Sequence, residues 1–331
     1  MRLGEETQHV DQISVLGAGA FGTALAISLA RSGQAVTLWA RSDDAARSMQ
    51  SARENIGRLP GKPFPASLNA TSDLTHACKA PILLLAVPMQ QLADFAVLNK
   101  SLIQHKSLVA CCKGIDLKSD RGPLAVLEDL VPDARVAILS GPSFAIDIAD
   151  GLPTALTLAA RDKDVVDMLQ SKLTTDTIRL YSSLDPVGVE FGGALKNVIA
   201  IACGLAMGAG LGESARAALM TRGFSEMQRL AARVGADPTT LSGLSGFGDL
   251  VLTCTSDKSR NFSHGFKLGT GAKVDPNVTV EGVATAKAVM HLAHTLDLDM
   301  PITTTITQIL DGHISISEAV ELLLSRPLKR E

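Results

Sequence analysis

The chain has 331 residues, 46% of them hydrophobic and 20% charged, enough for two domains with a sizeable core and ordinary solubility. Its net charge is −3, with 3% aromatic residues and no basic stripe interleaved with aromatics, which argues against a nucleic-acid partner. The five cysteines (Cys78, Cys111, Cys112, Cys203, Cys254) are odd in number and lack metal-ligand spacing, so they read as reduced thiols of a cytoplasmic protein.

The first twelve residues are polar and carry Glu5, Glu6 and Asp11, which does not fit a signal peptide. Short apolar runs then follow one another: Ile13–Leu16, Ala35–Trp39, Ile82–Val87, Ser107–Cys111, Val136–Leu139, Ala155–Leu158 and Ile178–Tyr181. Runs of this length, bounded by glycine, proline or polar residues, suit strands covered on both faces. Cys111-Cys112 reads as two strand residues facing opposite ways. Helical patterns such as Thr23–Ser32, closed by Gly33, lie between the first strands, and strands separated by helices predict a doubly wound parallel sheet. After Asp185-Pro186 the strands give way to helical segments: Val187–Met207, Glu213–Val234, Glu281–Leu296, Thr303–Leu310 and Ser317–Leu324, the last ended by Pro327. Residues 1–186 are therefore expected to form a Rossmann domain and 187–331 an all-helical domain. The apolar stretch Val198–Leu211 is too short to span a bilayer and reads as a buried helix.

Gly17-Ala-Gly19-Ala20-Phe21-Gly22 follows the first strand and opens an alanine-rich helix, the context that gives a G-x-G-x-x-G pattern meaning. Gly17 permits the tight turn, Gly19 lets backbone approach a pyrophosphate, and Gly22 lets helix and strand pack closely. The second strand runs into Trp39-Ala40-Arg41 where an NAD site would carry a carboxylate. A guanidinium there can pair with a 2′-phosphate, which favours NADPH with NADH possible; the alternative is a solvated loop cation.

Ligands of open α/β sheets sit beyond the carboxyl ends of the strands. Three loops fall there: Ala86-Val87-Pro88, Cys112-Lys113-Gly114 and Ser140-Gly141-Pro142-Ser143-Phe144-Ala145. Each could also be a plain surface turn. Lys196 lies in Phe191–Ala200, a helix of small and apolar residues, where an ammonium is costly unless paired or functional. It either has a lowered pKa and exchanges a proton near neutrality, or sends its head to solvent along a packed stem. Asp249 sits in a glycine-rich turn opening a helix and could be an N-cap, a site residue, or both. Ser259-Arg260-Asn261 offers a hydroxyl, a planar cation and an amide suited to a phosphate, though alone it reads equally as any polar loop. The seven histidines form no metal-spaced set, and none falls in these loops.

GAGAFGTALA (17–26), CCKGI (111–115), SGPSFA (140–145), VEFGGALKNVIAIACG (189–204), GFGDLVLTCTS (246–256), SRNFSHG (259–265) and VEG (280–282) occur in one order. In that combination, from Ile13 to about Leu324, the chain resembles the NAD(P)-dependent glycerol-3-phosphate dehydrogenases of the bacterial type. The resemblance implies that Ala20, Phe21, Arg41, Lys113, Ala145, Arg260 and Glu281 contact the cofactor. It implies that Lys113, Gly141, Ser143, Lys196, Asp249, Ser259, Arg260 and Asn261 surround the substrate. Lys196 would exchange the proton, Asp249 hold it, Lys113 add a second cation and Thr253 a hydroxyl. The implied reaction is reduction of dihydroxyacetone phosphate to sn-glycerol 3-phosphate for phospholipid synthesis, by a cytoplasmic homodimer without membrane insertion. The rival readings are a related two-domain reductase of a hydroxy acid and a catalytically silent nicotinamide sensor.

Overall fold

The structure, a computed structural model, describes residues 13–275 and 279–325. The polar first twelve residues and the stop at Pro327 lie outside the described residues.

Strands and helices alternate through the first half: β1 (Ile13–Leu16), α1 (Ala20–Arg31), β2 (Val36–Trp39), α2 (Asp43–Ala52), β3 (Leu68–Thr71), α3 (Leu74–Ala77), β4 (Ile82–Leu85), α4 (Met89–Leu98) and α5 (Lys100–Ile103). Then come β5 (Ser107–Ala110), α6 (Pro123–Leu130), β6 (Arg135–Ser140), α7 (Ala145–Ala149), β7 (Thr154–Ala160), α8 (Lys163–Leu173) and β8 (Ile178–Ser183). They build one eight-stranded sheet in the order β3-β2-β1-β4-β5-β6-β7-β8. The first six strands are parallel in the doubly wound Rossmann order, which reverses between β1 and β4.

Two expectations need correction. β3 was absent from the sequence reading because this edge strand, Leu-Asn-Ala-Thr, buries only Leu68 and offers no apolar run. The sheet is also not wholly parallel, since β7 runs antiparallel to β6. The link from Ser140 to Thr154 carries only the five-residue α7, which returns the chain without a crossover.

Both sheet faces are covered, which is why the strands read as unbroken apolar runs. Val15, Leu38, Leu84 and Val109 pack on one face with Leu25 and Leu29 of α1. Leu16, Leu83, Leu85 and Leu108 pack on the other with Leu92 of α4 and Leu127 of α6. Cys111 and Cys112, just past β5, continue this alternation, one in each layer.

The remainder is helical: α9 (Pro186–Gly208), α10 (Glu213–Arg233), a π-helical turn at Leu244–Gly248, α11 (Asp249–Cys254), α12 (Arg260–Gly269), α13 (Glu281–Thr295), α14 (Pro301–Leu310) and α15 (Ile316–Leu324). Asp185 caps α9 by accepting from Gly188 N at 2.9 Å, and Pro186 fits the first turn, where no N–H is needed. α9 begins well before the stretch judged too short to span a bilayer. By length and composition it could cross one, but 89% of its most apolar stretch is buried as the central helix of this half.

α9 and α12 meet backbone to backbone. A Cβ on Gly204 or Gly208 of α9 would collide with the carbonyl oxygens of Phe262 and Phe266. A Cβ on Gly265 or Gly269 of α12 would collide with those of Ile201 and Leu205. Both helices thus place glycines four residues apart along one seam, and no other residue fits there.

Candidate active site

The loop after β1 is shaped by its neighbours. Gly17 has φ +123°, and a Cβ there would lie 2.6 Å from the carbonyl oxygen of Ala86, at the β1–β4 reversal. A Cβ on Gly22 would strike the carbonyl oxygen of Gly17. Gly19 differs: it is exposed, and a Cβ there would meet no protein atom within 4 Å. It caps α1 in extended conformation without a side-chain hydrogen bond, and the helix ladder begins when Thr23 N donates to Gly19 O at 2.9 Å. The amides of Ala20, Phe21 and Gly22 therefore open the helix without a capping side chain. Open space, unpaired N–H groups and a positive dipole end make a cradle that fits a dinucleotide pyrophosphate. Arg41 is exposed, two residues past the end of β2.

Beyond the sheet, three charged side chains converge. Lys113, in the loop after β5, donates to Asp249 Oδ2 at 2.5 Å and to the Gly141 carbonyl at 3.1 Å. Lys196, on α9, donates to Asp249 Oδ1 at 2.7 Å and to Thr253 Oγ1 at 2.6 Å. Thr253 Oγ1 donates in turn to Asp249 Oδ1 at 3.2 Å. Lys196 is 7% exposed and Asp249 1%, so the reading in which the Lys196 head reaches solvent is wrong. Burial lowers the Lys196 pKa to about 8, Lys113 pushes the same way, and Asp249 opposes both. An ammonium poised there can give up and regain a proton at physiological pH.

Glycines set this geometry. A Cβ on Gly192 would lie 2.8 Å from the Ser245 carbonyl, so the π-helical turn presses on α9 about one turn before Lys196 and brings Asp249 within reach. A Cβ on Gly193 would strike Ser140 Oγ, which packs the β6 loop against the same stretch. Asp249 is not an N-cap. Gly248 holds that position, and the Asp249 carboxylate is given to the two lysines.

Around the cluster, Gly141 is buried at φ +143°, Ser143 Oγ donates to its carbonyl at 3.3 Å, and Ala145 opens α7. Glu281 opens α13. Burial raises its pKa, and the positive charges of Arg260, Lys113 and Lys196 pull it the other way.

Ser259-Arg260-Asn261, expected as a loop, starts α12. Ser259 is its N-cap, accepting from Phe262 N at 3.2 Å and keeping its own proton free to donate. Arg260 is exposed and donates to the Thr279 carbonyl at 3.4 Å. The Asn261 carboxamide is turned inward. It donates to Asn197 Oδ1 and accepts from Gly282 N, both at 2.9 Å. What this residue presents outward is its backbone N–H in the first turn of α12. Asn197 was missed, although a polar amide inside an apolar helix was a visible signal.

A Rossmann-ordered sheet with an open dinucleotide cradle, joined to a helical half that supplies a buried lysine on an aspartate, defines a nicotinamide-dependent dehydrogenase of two-part build. Comparison with known proteins narrows this class. The model of the NAD-dependent glycerol-3-phosphate dehydrogenase N-terminus matches residues 12–166, and that of the C-terminus residues 185–321. The chain is 58% identical to the glycerol-3-phosphate dehydrogenase (NAD(P)+) of Ruegeria sp. (strain TM1040), over 96% of this chain and 99% of that one. It is 54% identical to that of Roseobacter denitrificans, again over 96% and 99%. The crystal structure of glycerol-3-phosphate dehydrogenase from Coxiella burnetii superposes with a TM-score of 0.90 at 38% identity, covering 96% of this chain and 99% of that one. The chain belongs to the NAD-dependent glycerol-3-phosphate dehydrogenase family, a family of oxidoreductases.

Proposed function

We propose that the chain catalyses the NAD(P)H-dependent reduction of dihydroxyacetone phosphate to sn-glycerol 3-phosphate, and its reverse. The observation that carries this is the buried Lys196 held between Asp249 and Thr253, with Lys113 on the second oxygen of the same carboxylate. Lys196 hydrogen-bonds the ketone oxygen, stabilises its developing negative charge and delivers the proton. Lys113 adds a second positive charge, and Asp249 holds both ammonium groups in place. The substrate phosphate sits at the N-terminus of α12, on the Arg260 guanidinium, the first-turn amides of Arg260 and Asn261, and the Ser259 hydroxyl. Gly141 and Ser143 line the other side.

The cofactor, when bound, supplies the hydride that adds to the ketone carbon. Gly17, Gly19, Ala20, Phe21 and Gly22 hold its pyrophosphate, and Lys113, Ala145, Arg260 and Glu281 complete its site. Arg41 at the end of β2 selects NADPH over NADH by pairing with a 2′-phosphate. A division near Pro186 separates cofactor binding from the helical substrate half, since β8 ends at Ser183 and α9 begins at Pro186. The enzyme works as a homodimer in the cytoplasm, in keeping with five cysteines that are all free, and supplies the glycerol phosphate of phospholipids.

The test is dinucleotide consumption with dihydroxyacetone phosphate, beside unphosphorylated dihydroxyacetone, for wild type and Lys196→Ala. Turnover that requires the phosphate and falls about 10²–10⁴-fold in the variant, with dinucleotide affinity retained, is the expected result. Unchanged turnover in Lys196→Ala removes the role given to that residue.

A further inference from the structure

The cofactor cradle is held from outside by a residue that none of the motifs contains. Asn55 lies in the connection from α2 to β3 and is 5% exposed. Its Nδ2 donates to the Ala18 carbonyl at 3.0 Å and to Thr23 Oγ1 at 2.8 Å. These acceptors lie on either side of Gly19, one before the α1 N-cap and one a turn inside the helix.

The first bond has a geometric consequence. In a trans peptide the C=O and the following N–H point in opposite directions. Fixing the Ala18 carbonyl on Asn55 therefore turns the Gly19 N–H away from Asn55. The second bond ties down the turn whose ladder starts at Gly19.

Asn55 is itself rigidly mounted. Its carbonyl accepts from Leu59 N at 2.8 Å and from Arg58 N at 3.2 Å. Glu54 bridges to Pro63, Phe64 N donates to Arg53 O at 2.7 Å, and Leu59 and Phe64 are sunk in the core beneath the sheet.

We propose that Asn55 is a positioning residue for the dinucleotide: it locks the Ala18–Gly19 peptide so that the amides at the start of α1 converge on the pyrophosphate. The inference rests on the cofactor reading above. Asn55 touches no reacting atom, and its effect is on affinity rather than on chemistry.

Two variants of the full chain test this. Asn55→Asp keeps the shape but removes both donors and turns a carboxylate toward the Ala18 carbonyl. Asn55→Ala removes the donors without adding charge. Dissociation constants for NADPH and NADH are read by nicotinamide fluorescence, together with steady-state constants and amide exchange across residues 13–27. The expected result is affinity for both dinucleotides weakened about ten- to a hundredfold, more in Asn55→Asp than in Asn55→Ala. The kcat at saturating dinucleotide and the KM for dihydroxyacetone phosphate stay within about threefold, and exchange quickens only in the loop and first turn of α1. Folded variants with wild-type dinucleotide affinity, or with lost kcat at unchanged affinity, overturn the assignment. Wild-type protein that bound neither dinucleotide would instead remove the cofactor reading beneath it.

Discussion

Replacing Asp249 by asparagine takes one negative charge from between two ammonium groups and leaves the shape of the site almost intact. Lys196 has its pKa at about 8 because burial and Lys113 depress it more than Asp249 restores it. Losing an opposite charge within hydrogen-bond distance shifts a pKa by about 1–3 units, so Lys196 falls to about 5–7 in the variant. The sign follows from the lysine's part in the reaction. Reduction needs the protonated amine, so wild-type activity declines as pH rises through about 8, and in Asp249→Asn it declines at about 5–7 instead. At about pH 7.5 the protonated fraction drops from roughly three quarters to between about 0.3 and 24 per cent, a loss of about three- to two-hundredfold in reduction that acidification reverses. Oxidation of glycerol 3-phosphate needs the neutral amine, so its rise with pH moves to the same lower range. The assay is the pH profile of kcat in both directions, with dinucleotide affinity measured in parallel. An alkaline limb that stays at about 8, or moves upward, refutes the assignment of Asp249 as the group that keeps Lys196 charged.

Arg41→Ala is expected to cut the preference for NADPH over NADH by about tenfold with NADH constants unchanged; an unaltered ratio makes Arg41 a bystander. Gly19→Ala meets no protein atom, so its melting temperature stays near wild type while dinucleotide affinity falls about tenfold or more. Unweakened binding there would move the pyrophosphate elsewhere. Gly265→Ala forces a methyl against the Ile201 carbonyl and is expected to cost about 1–3 kcal/mol of stability and to raise the KM for the phosphorylated substrate. Denaturant melts and steady-state kinetics read both, and a variant as stable as wild type would show slack between α9 and α12.

The readable parts of the sequence were those whose chemistry is local. The glycine loop announces itself because the strand before it and the helix after it lie within twenty residues, and Lys196 stands out because its immediate neighbours are apolar. β3 was silent because an edge strand with one buried side chain has no periodic signal. α12 was missed because its buried face is made of Asn261, Phe262 and Gly265, and glycines that seat on another backbone look like loop residues. The antiparallel turn of β7 depends on what the chain cannot do in a short connection. Partnerships were hidden for a different reason: Lys196 and Asp249 lie 53 residues apart, Lys113 and Asp249 136, and Asn55 and Ala18 37. Nothing at either end of such a pair encodes the other. Asn55 in particular looks like any amide in a polar connection.

The glycine seam between α9 and α12 turns the helical half into a ruler. Lys196 rides on one helix and the proposed phosphate-binding end begins the other, and no side chain intervenes at the four glycine contacts. With no rotamers to adjust at those contacts, the two helices are coupled directly through their backbones, which fixes the span from Lys196 to the first turn of α12. On the proposed function a substrate is then gauged by length as well as by chemistry: a chain one carbon longer or shorter is expected to seat its phosphate on α12 only by drawing its carbonyl away from Lys196.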